Sequence, residues 1–216
     1  MIVVVDYGMG NLRSVSKALE SLGAEVRVSS DPADVASAEK IILPGVGAFP
    51  AAMRELAARK LIEPLKASLA KGTPYLGICL GLQLLFEDSE EGEGAIGLGV
   101  LKGTVKRFSF GPQSTVHSPP LKIPHMGWNR IARRQEAEGR GQQDCPLLEN
   151  IPEKIFVYFV HSYYADPADP SVVAMESEYG VRFAAMLWRR NMFATQFHPE
   201  KSQAVGLQLL KNFVRL

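Results

Sequence analysis

The sequence contains few cysteines, and it lacks long apolar stretches, dense runs of basic residues and a basic leader segment. Only Cys79 and Cys145 are cysteines, so no disulfide framework is indicated and we expect two free thiols. No apolar run is long enough to span a membrane, and the first predicted strand begins at Ile2 with no cleavable leader, so we expect a cytoplasmic protein. The net charge of +1 argues against nucleic-acid binding.

Strand-like and helix-like segments alternate through the first part of the chain. Apolar or β-branched runs predict strands at residues 1–6, 24–29, 40–43 and 73–79. This alternation predicts an α/β fold built on an open, largely parallel sheet with helices on both faces. Further along, residues 172–178 and 182–187 predict an antiparallel pair of strands. We expect a single domain over residues 1–216, because 46% hydrophobic and 22% charged residues are ordinary values for a globular chain of this length.

Some helix ends carry local signals. Asn11 is predicted to cap the first helix, and Asp31 followed by Pro32 predicts the start of the second. Within residues 51–70, Pro64 is expected to kink or break the helical segment, because proline removes a backbone donor and crowds the preceding turn.

Cys79 lies between two glycines at a predicted strand-to-helix turn. The segment Gly77-Ile-Cys-Leu-Gly81 has the spacing of a nucleophile elbow, with sulfur in place of oxygen. Glycines are needed there because the flanking backbones approach too closely for Cβ atoms. We expect a helix over residues 80–87, whose N-terminus would favour a thiolate at Cys79. The alternative is a small buried cysteine without chemistry. Cys145 has no helix after it and receives no role.

A histidine and a glutamate follow the last predicted strand, which covers residues 192–197. Residues two apart in an extended segment share a face, so we expect Glu200 to lie beside His198 and orient it. A base oriented by a third group is what cysteine catalysis requires. Alternatively, His198 is a structural histidine. The histidines show no metal-ligand spacing, and the glycines at residues 8–10 lack the third glycine of a dinucleotide site, so no metal or cofactor is expected.

The sequence allows two interpretations for each of two other segments. The Pro44-Gly-Val-Gly47 loop follows a strand directly and is either an ordinary turn or a source of backbone N–H donors for a reacting oxygen. Residues 126–129 are predicted to form a loop, in which Trp128 is either a core residue or an anchor for a partner. Residues 109–120 and 135–145 have the composition of exposed insertions.

Three of these segments together resemble the class I, triad-type glutamine amidotransferases: residues 44–47, 77–83 and 196–200. Within that family, residues 4–15, 124–129 and 158–163 resemble the glutaminase subunits of imidazole glycerol phosphate synthase, an enzyme of histidine biosynthesis. The resemblance implies a flavodoxin-like sheet with a small antiparallel strand addition.

The resemblance also implies roles for individual residues. Cys79 attacks the side-chain amide of glutamine, His198 protonates the leaving ammonia and then activates water, and Glu200 orients His198. The oxyanion donors fall on the backbone amides of Val46 and Leu80. The residues that hold the glutamine are, by the same resemblance, Gly45, Gln83, Ser162 and Tyr163.

A partner is implied as well. In this family the ammonia passes to a (β/α)8-barrel cyclase subunit, which uses it on a phosphoribulosyl-formimino aminoimidazole carboxamide ribonucleotide to give imidazole glycerol phosphate. Met126, Trp128 and Asn129 form the candidate interface of such a heterodimer. Three alternatives stay open: the glutaminase of another pathway, such as anthranilate or pyridoxal phosphate synthesis; a cysteine peptidase or other cysteine hydrolase on a similar sheet; and a non-catalytic binding domain.

Overall fold

The structure, a computed structural model, describes residues 1–110, 121–134 and 145–216. The helices in these residues are α1 (Leu12–Ser21), α2 (Pro32–Ser37), α3 (Phe49–Ala58), α4 (Ile62–Lys71), α5 (Leu80–Gln83) and α6 (Gln203–Arg215). The strands are β1 (Ile2–Val5), β2 (Val26–Ser29), β3 (Lys40–Gly45), β4 (Tyr75–Cys79), β5 (Asp88–Ser89), β6 (Ala95–Ile96), β7 (Gly103–Arg107), β8 (His125–Arg133), β9 (Lys154–His161), β10 (Tyr163–Pro167), β11 (Val173–Tyr179), β12 (Val181–Arg189) and β13 (Met192–Thr195).

The strands of the described residues form a large mixed sheet and a small one. The large sheet has the order β2-β1-β3-β4-β13-β12-β11-β8-β9. From β2 to β13 the neighbours are parallel, and from β13 to β9 they are antiparallel. The small sheet has the order β10-β7-β5-β6.

Strands β1, β3, β4 and β13 of the parallel half are buried on both faces, as apolar strands predict, whereas the edge strand β2 is partly exposed. Along β1, Val3 and Val5 belong to one core cluster, while Ile2 and Val4 belong to the other. Helices α2, α3 and α4 contribute side chains to the first cluster, and α1 and α6 contribute to the second. The predicted α/β sheet with helices on both faces is confirmed.

The helix-end predictions were right in part. The side chain of Asp31 accepts a hydrogen bond of 2.8 Å from the amide of Ala33, with Pro32 at the start of α2. Asn11 occupies the predicted cap position of α1, but its side chain makes no cap hydrogen bond. The break between α3 and α4 precedes Pro64, which lies in the first turn of α4, where its missing N–H costs nothing.

The antiparallel half is larger than the sequence indicated. The predicted pair β11 and β12 is present, but β8 and β9 extend it. Residues 126–129 were predicted to be a loop; they belong to β8, which pairs with β9 from His125 opposite His161 to Ala132 opposite Lys154. The loop prediction was wrong because Gly127 and Asn129 have loop-like composition, whereas long-range pairing decides the structure here. Of the two expected insertions, residues 111–120 and 135–144 lie outside the described residues.

None of the helices that the structure describes is both long and apolar enough to cross a bilayer.

Candidate active site

Cys79 is held in a strained backbone conformation where β4 meets α5. Its φ of 55° and ψ of −106° place a non-glycine residue at positive φ, which marks a site that the surroundings constrain. A Cβ on Gly77 would lie 2.5 Å from the carbonyl oxygen of Gly81, and one on Gly81 would lie 1.8 Å from that of Leu43. The first contact is the predicted crowding within the turn, and the second is crowding against β3.

The helix after Cys79 is shorter than predicted. It covers Leu80–Gln83 rather than residues 80–87. The apolar residues that follow form a turn and a bend, are buried, and accept hydrogen bonds from the amides of residues 98–101: Leu84, Leu85 and Phe86. Their apolar spacing therefore reflects burial on every side rather than one helical face.

His198 and Glu200 lie in contact and are buried. His198 Nδ1 is 2.9 Å from Glu200 Oε1, and the two side chains are 2% and 1% exposed. The predicted extended segment is not present: the last strand ends at Thr195, and a 3-10 turn covers Pro199–Lys201. The turn brings the carboxylate back onto the ring.

The base is anchored to β9 through its backbone. The amide of His198 donates a 3.0 Å hydrogen bond to the carbonyl oxygen of Tyr158. The hydroxyl of Ser202 donates to the carbonyl oxygen of His198 at 2.7 Å and accepts from the amide of Tyr158 at 3.0 Å. The position of the imidazole is therefore tied to the antiparallel half of the sheet, across from the strand that carries Cys79.

The charge balance of the site favours a protonated His198. Burial by itself lowers the pKa of His198, but interaction with the Cys79 thiol and the Glu200 carboxylate outweighs it and raises the pKa to about 10. Nε2 has no hydrogen-bond partner of ordinary geometry among the described residues, although the Cys79 thiol is near enough to raise the pKa of the ring. Because Nε2–H of the His198 imidazolium has no partner and lies beside the nucleophile, it is available to protonate a leaving group.

Gln196 contacts the sulfur and was not predicted as a site residue. Its Nε2 lies 3.7 Å from Cys79 Sγ, and Sγ lies 3.9 Å from the carbonyl oxygen of Val160. Gln83 Nε2 donates to the carbonyl oxygen of Tyr163 at 3.0 Å and to Gln196 Oε1 at 3.1 Å. The sequence did contain one indication of a role for Gln196, because it is the first residue of the 196–200 segment that ends in Glu200.

The loop after β3 lies against the elbow. Gly45 is opposite Cys79 in the pairing of β3 with β4, so Val46 and Leu80 follow these paired residues on neighbouring segments. A Cβ on Gly45 would lie 2.4 Å from the hydroxyl of Tyr7 and 2.8 Å from Leu80 Cβ. This close approach explains why glycine stands at the end of β3.

The remaining predicted residues are distributed around this centre. Ser162 accepts a 3.1 Å hydrogen bond from the amide of Phe108 through its carbonyl oxygen, and Tyr163 is partly buried beside it. Met126 and Trp128 are 63% and 47% exposed on the outer face of β8. Asn129 projects to the inner face, where its amide donates to the carbonyl oxygen of Glu178 at 2.9 Å.

Neither a metal site nor a second reactive thiol is evident in the part of the chain that the structure describes. No cluster of three or more His, Cys, Asp or Glu side chains there could hold a metal ion. Cys145 is buried, and burial raises the pKa of its thiol to about 12, so it is a poor nucleophile near neutral pH.

A cysteine in a strained elbow, a buried histidine and a carboxylate that orients it are the parts of a thiol-dependent amide hydrolase. The sequence model "Glutamine amidotransferase class-I" matches residues 3–216. A solved structure described as PurLQS from Thermotoga maritima superposes with a TM-score of 0.68 over 99% of this chain and 95% of that one, at 22% identity, which supports the fold alone.

Full-length relatives narrow the family further. The imidazole glycerol phosphate synthase subunit HisH of Syntrophotalea carbinolica is 51% identical over 99% of this chain and 98% of that protein. The subunit of the same name from Aromatoleum aromaticum is 49% identical over 99% and 97%. The chain therefore belongs to the class I glutamine amidotransferases and, within them, to the imidazole glycerol phosphate synthase subunit HisH family.

Proposed function

We propose that this protein hydrolyses glutamine to glutamate and ammonia, and that Cys79, His198 and Glu200 carry out the reaction. The observation that carries the proposal is the buried His198–Glu200 contact of 2.9 Å next to a cysteine in a nucleophile elbow. The family to which the chain belongs supports glutamine as the substrate.

The reaction proceeds in two halves. Cys79 Sγ, as the thiolate, attacks the side-chain carbonyl carbon of glutamine, and the C–N bond breaks while the His198 imidazolium gives its proton to the departing ammonia. Water then attacks the resulting thioester, His198 removes a proton from that water, and glutamate leaves as the C–S bond breaks. Glu200 holds His198 through Nδ1, so that Nε2 faces the reacting atoms.

The backbone amides of Val46 and Leu80 are proposed as donors to the oxyanion. Their positions follow from the pairing of Gly45 with Cys79, which brings the two loops together at one sheet edge. A single donor of this kind typically contributes about 10²–10³ in rate. We assign Gly45, Gln83, Ser162 and Tyr163 to the walls of the glutamine pocket; Gln83 does this through its hydrogen bonds to Tyr163 and Gln196.

The ammonia is proposed to pass to a cyclase subunit that makes imidazole glycerol phosphate in histidine biosynthesis. The relatives are named as subunits of a synthase, which supports a heterodimer. On the outer face of the β8–β9 pair, Met126 and Trp128 are exposed, and Phe156, which is 62% exposed and opposite Arg130, lines a cleft together with Trp128. Exposed aromatic and Met side chains are typical of interface centres, so we assign the cyclase contact to this face. Asn129 belongs to the same strand and stabilises it from the inner face through its hydrogen bond to Glu178.

Two further assignments accompany this function. We take residues 1–216 to be one amidotransferase domain, supported by the family match over residues 3–216. We infer a cytoplasmic location from the two free thiols, Cys79 and Cys145.

The test uses the protein together with a cyclase subunit and its nucleotide substrate. We expect wild type to form glutamate and the imidazole product in equal amounts from glutamine. Cys79→Ser is expected to abolish product formation from glutamine while the complex still uses an added ammonium salt. Failure of the wild type to hydrolyse glutamine with any cyclase substrate present would contradict the assignment.

A further inference from the structure

Two buried histidines, His125 and His161, take no part in the reaction described above. They are paired opposite each other in strands β8 and β9. His125 is 3% exposed and His161 is 6% exposed. His125 Nδ1 lies 2.9 Å from His161 Nε2. Burial lowers the pKa of His125 to about 4 and that of His161 to about 3. Both rings are therefore neutral near pH 7.

The partners of the two rings allow one arrangement of protons. His161 Nδ1 lies 2.8 Å from the carbonyl oxygen of Tyr163, which can only accept, so Nδ1 carries the proton and Nε2 accepts. His125 must then donate from Nδ1, which leaves its Nε2 as an acceptor. The side-chain nitrogen of Asn129, 3.2 Å from that Nε2, supplies the donor. Protonation of either ring would place two donors face to face.

Asn129 fixes the outer end of this arrangement. Its Nδ2 also donates to the carbonyl oxygen of Glu178 at 2.9 Å, and its Oδ1 accepts from the amide of Arg130 at 2.7 Å. These two contacts define which way the amide faces. The donor presented to His125 is thus set by the backbones of β8 and β11, to which Arg130 and Glu178 belong.

The inner end continues to the nucleophile. The carbonyl oxygen of Tyr163 that accepts from His161 also accepts from Gln83 Nε2 at 3.0 Å. Gln83 Nε2 in turn donates to Gln196 Oε1 at 3.1 Å, and Gln196 Nε2 lies 3.7 Å from Cys79 Sγ. We call this continuous path the β8-to-thiol chain; its members are Asn129, His125, His161, the Tyr163 carbonyl, Gln83, Gln196 and Cys79.

The outer end of the chain reaches the surface proposed to contact the cyclase. Met126 and Trp128 project outward from β8, and His125 and Asn129 project inward from the same strand. A cleft of about 760 Å³ is lined by residues of both sets. Any displacement of β8 therefore moves the exposed side chains and the buried chain together.

We propose that His125 and His161 are positioning residues that transmit the placement of β8 to Gln196 and, through it, to the thiol of Cys79. The proposal rests on the proposed function in one respect, since the cyclase subunit is what engages β8. Each nitrogen of the pair has one matching partner, and a buried polar network is costly when only partly satisfied, so loss of one hydrogen bond weakens the whole chain. Docking that holds β8 in register keeps the Gln196 amide on the sulfur.

Matched substitutions at residue 125 separate hydrogen bonding from ring packing. The His125 ring stacks on Phe159 at 4.8 Å and on Tyr179 at 4.0 Å. His125→Phe keeps an aromatic ring there but removes both hydrogen bonds, whereas His125→Asn loses the ring but keeps a donor near the Nδ1 position. Ser68→Ala is the control, because Ser68 donates to the carbonyl oxygen of Val35 at 3.3 Å from a buried site on α4, outside both β8 and the chain.

The primary readout is the rate at which iodoacetamide alkylates Cys79, followed by kcat and KM for glutamine in the cyclase complex. We expect His125→Phe to slow alkylation and lower kcat by about tenfold, with KM within about twofold. His125→Asn and Ser68→Ala are expected to stay within about threefold of wild type in both rates. The opposite ranking of the two residue 125 variants would show that ring packing matters and would overturn the proposal.

A spectroscopic measurement on wild type keeps the proposal testable if a variant does not fold. The ¹⁵N shifts of both imidazoles at neutral pH should report a proton on Nδ1 and a bare Nε2. A proton on Nε2 of either ring would refute the chain. Neither this measurement nor alkylation uses glutamine, so each decides the proposal even if the glutaminase assignment fails.

Discussion

Replacing Glu200 by Gln removes a buried negative charge from His198 while almost preserving side-chain shape. Glu200 Oε1 is 2.9 Å from His198 Nδ1, and the two side chains are at most 2% exposed. Interaction with Cys79 and Glu200 raises the pKa of His198 from 6.5 to about 10 in spite of burial. That rise corresponds to about 5 kcal/mol of preference for the imidazolium.

The expected loss of activity depends on how much of the raised pKa of His198 is due to Glu200. If the two partners contribute equally, loss of the carboxylate charge removes at least about 2–3 kcal/mol from the imidazolium form, because the two partners together also offset the penalty of burial. Since the imidazolium is the acid that protonates the leaving ammonia, we expect kcat for glutamine hydrolysis to fall by about 10²-fold. The pKa of His198 should fall at the same time.

The assay is glutamate production by the cyclase complex at saturating glutamine, together with an NMR titration of the His198 ring. Glu200→Asp retains the charge with a shorter reach and should lose less activity than Glu200→Gln. Lys201→Gln is the positional control, because Lys201 is exposed on the same turn. A Glu200→Gln enzyme within threefold of wild type, with an unchanged His198 titration, would refute the orienting role of the carboxylate.

The remaining predictions concern stability, measured as the free energy of unfolding in urea. Because the pKa of His198 is raised to about 10, its contribution is complete below about pH 6.5 and is lost as the pH rises towards 10. Because burial lowers the pKa values of His125 and His161 to about 4 and about 3, each should cost up to about 1.4 kcal/mol per pH unit as the pH falls below about 6.5. A series between about pH 5 and 8 should therefore peak near pH 6.5, and a stability that rises steadily towards pH 5 would contradict this reasoning. Tyr75 donates a buried 2.9 Å hydrogen bond to the carbonyl oxygen of Gly81, whereas the buried hydroxyl of Tyr7 has no partner among the described residues. Tyr75→Phe should cost about 1–3 kcal/mol and Tyr7→Phe less than about 0.5 kcal/mol; equal losses would be the contrary result.

The parallel half of the fold could be predicted because its signals are local. Each strand before Cys79 is a short apolar run followed by a helical pattern, and buried parallel strands need no partner of a particular sequence. The elbow was recognisable for the same reason, since two glycines and a cysteine at fixed spacing determine a tight turn. His198 and Glu200 were recognisable as a pair, although the turn that joins them was not.

The antiparallel half depends on contacts between distant segments. Nothing near Trp128 in the sequence shows that residues 125–132 pair with residues 154–161, and without that pairing the segment has the composition of a loop. The chemistry that depends on this half was missed with it. Gln196 and His161 gain their hydrogen bonds from Gln83 and His125, each of which lies far away along the chain. Such networks follow from tertiary structure rather than from residue spacing.

The central claim is that Cys79 is the nucleophile for glutamine, and covalent labelling tests it most directly. A glutamine analogue with an electrophilic carbon in place of the side-chain amide is incubated with the cyclase complex, and the modified residue is located by peptide mass spectrometry. We predict one adduct, on Cys79, whose formation free glutamine suppresses and Cys79→Ser abolishes. Labelling of Cys145 at a similar rate, or labelling of Cys79 that glutamine does not slow, would contradict the account.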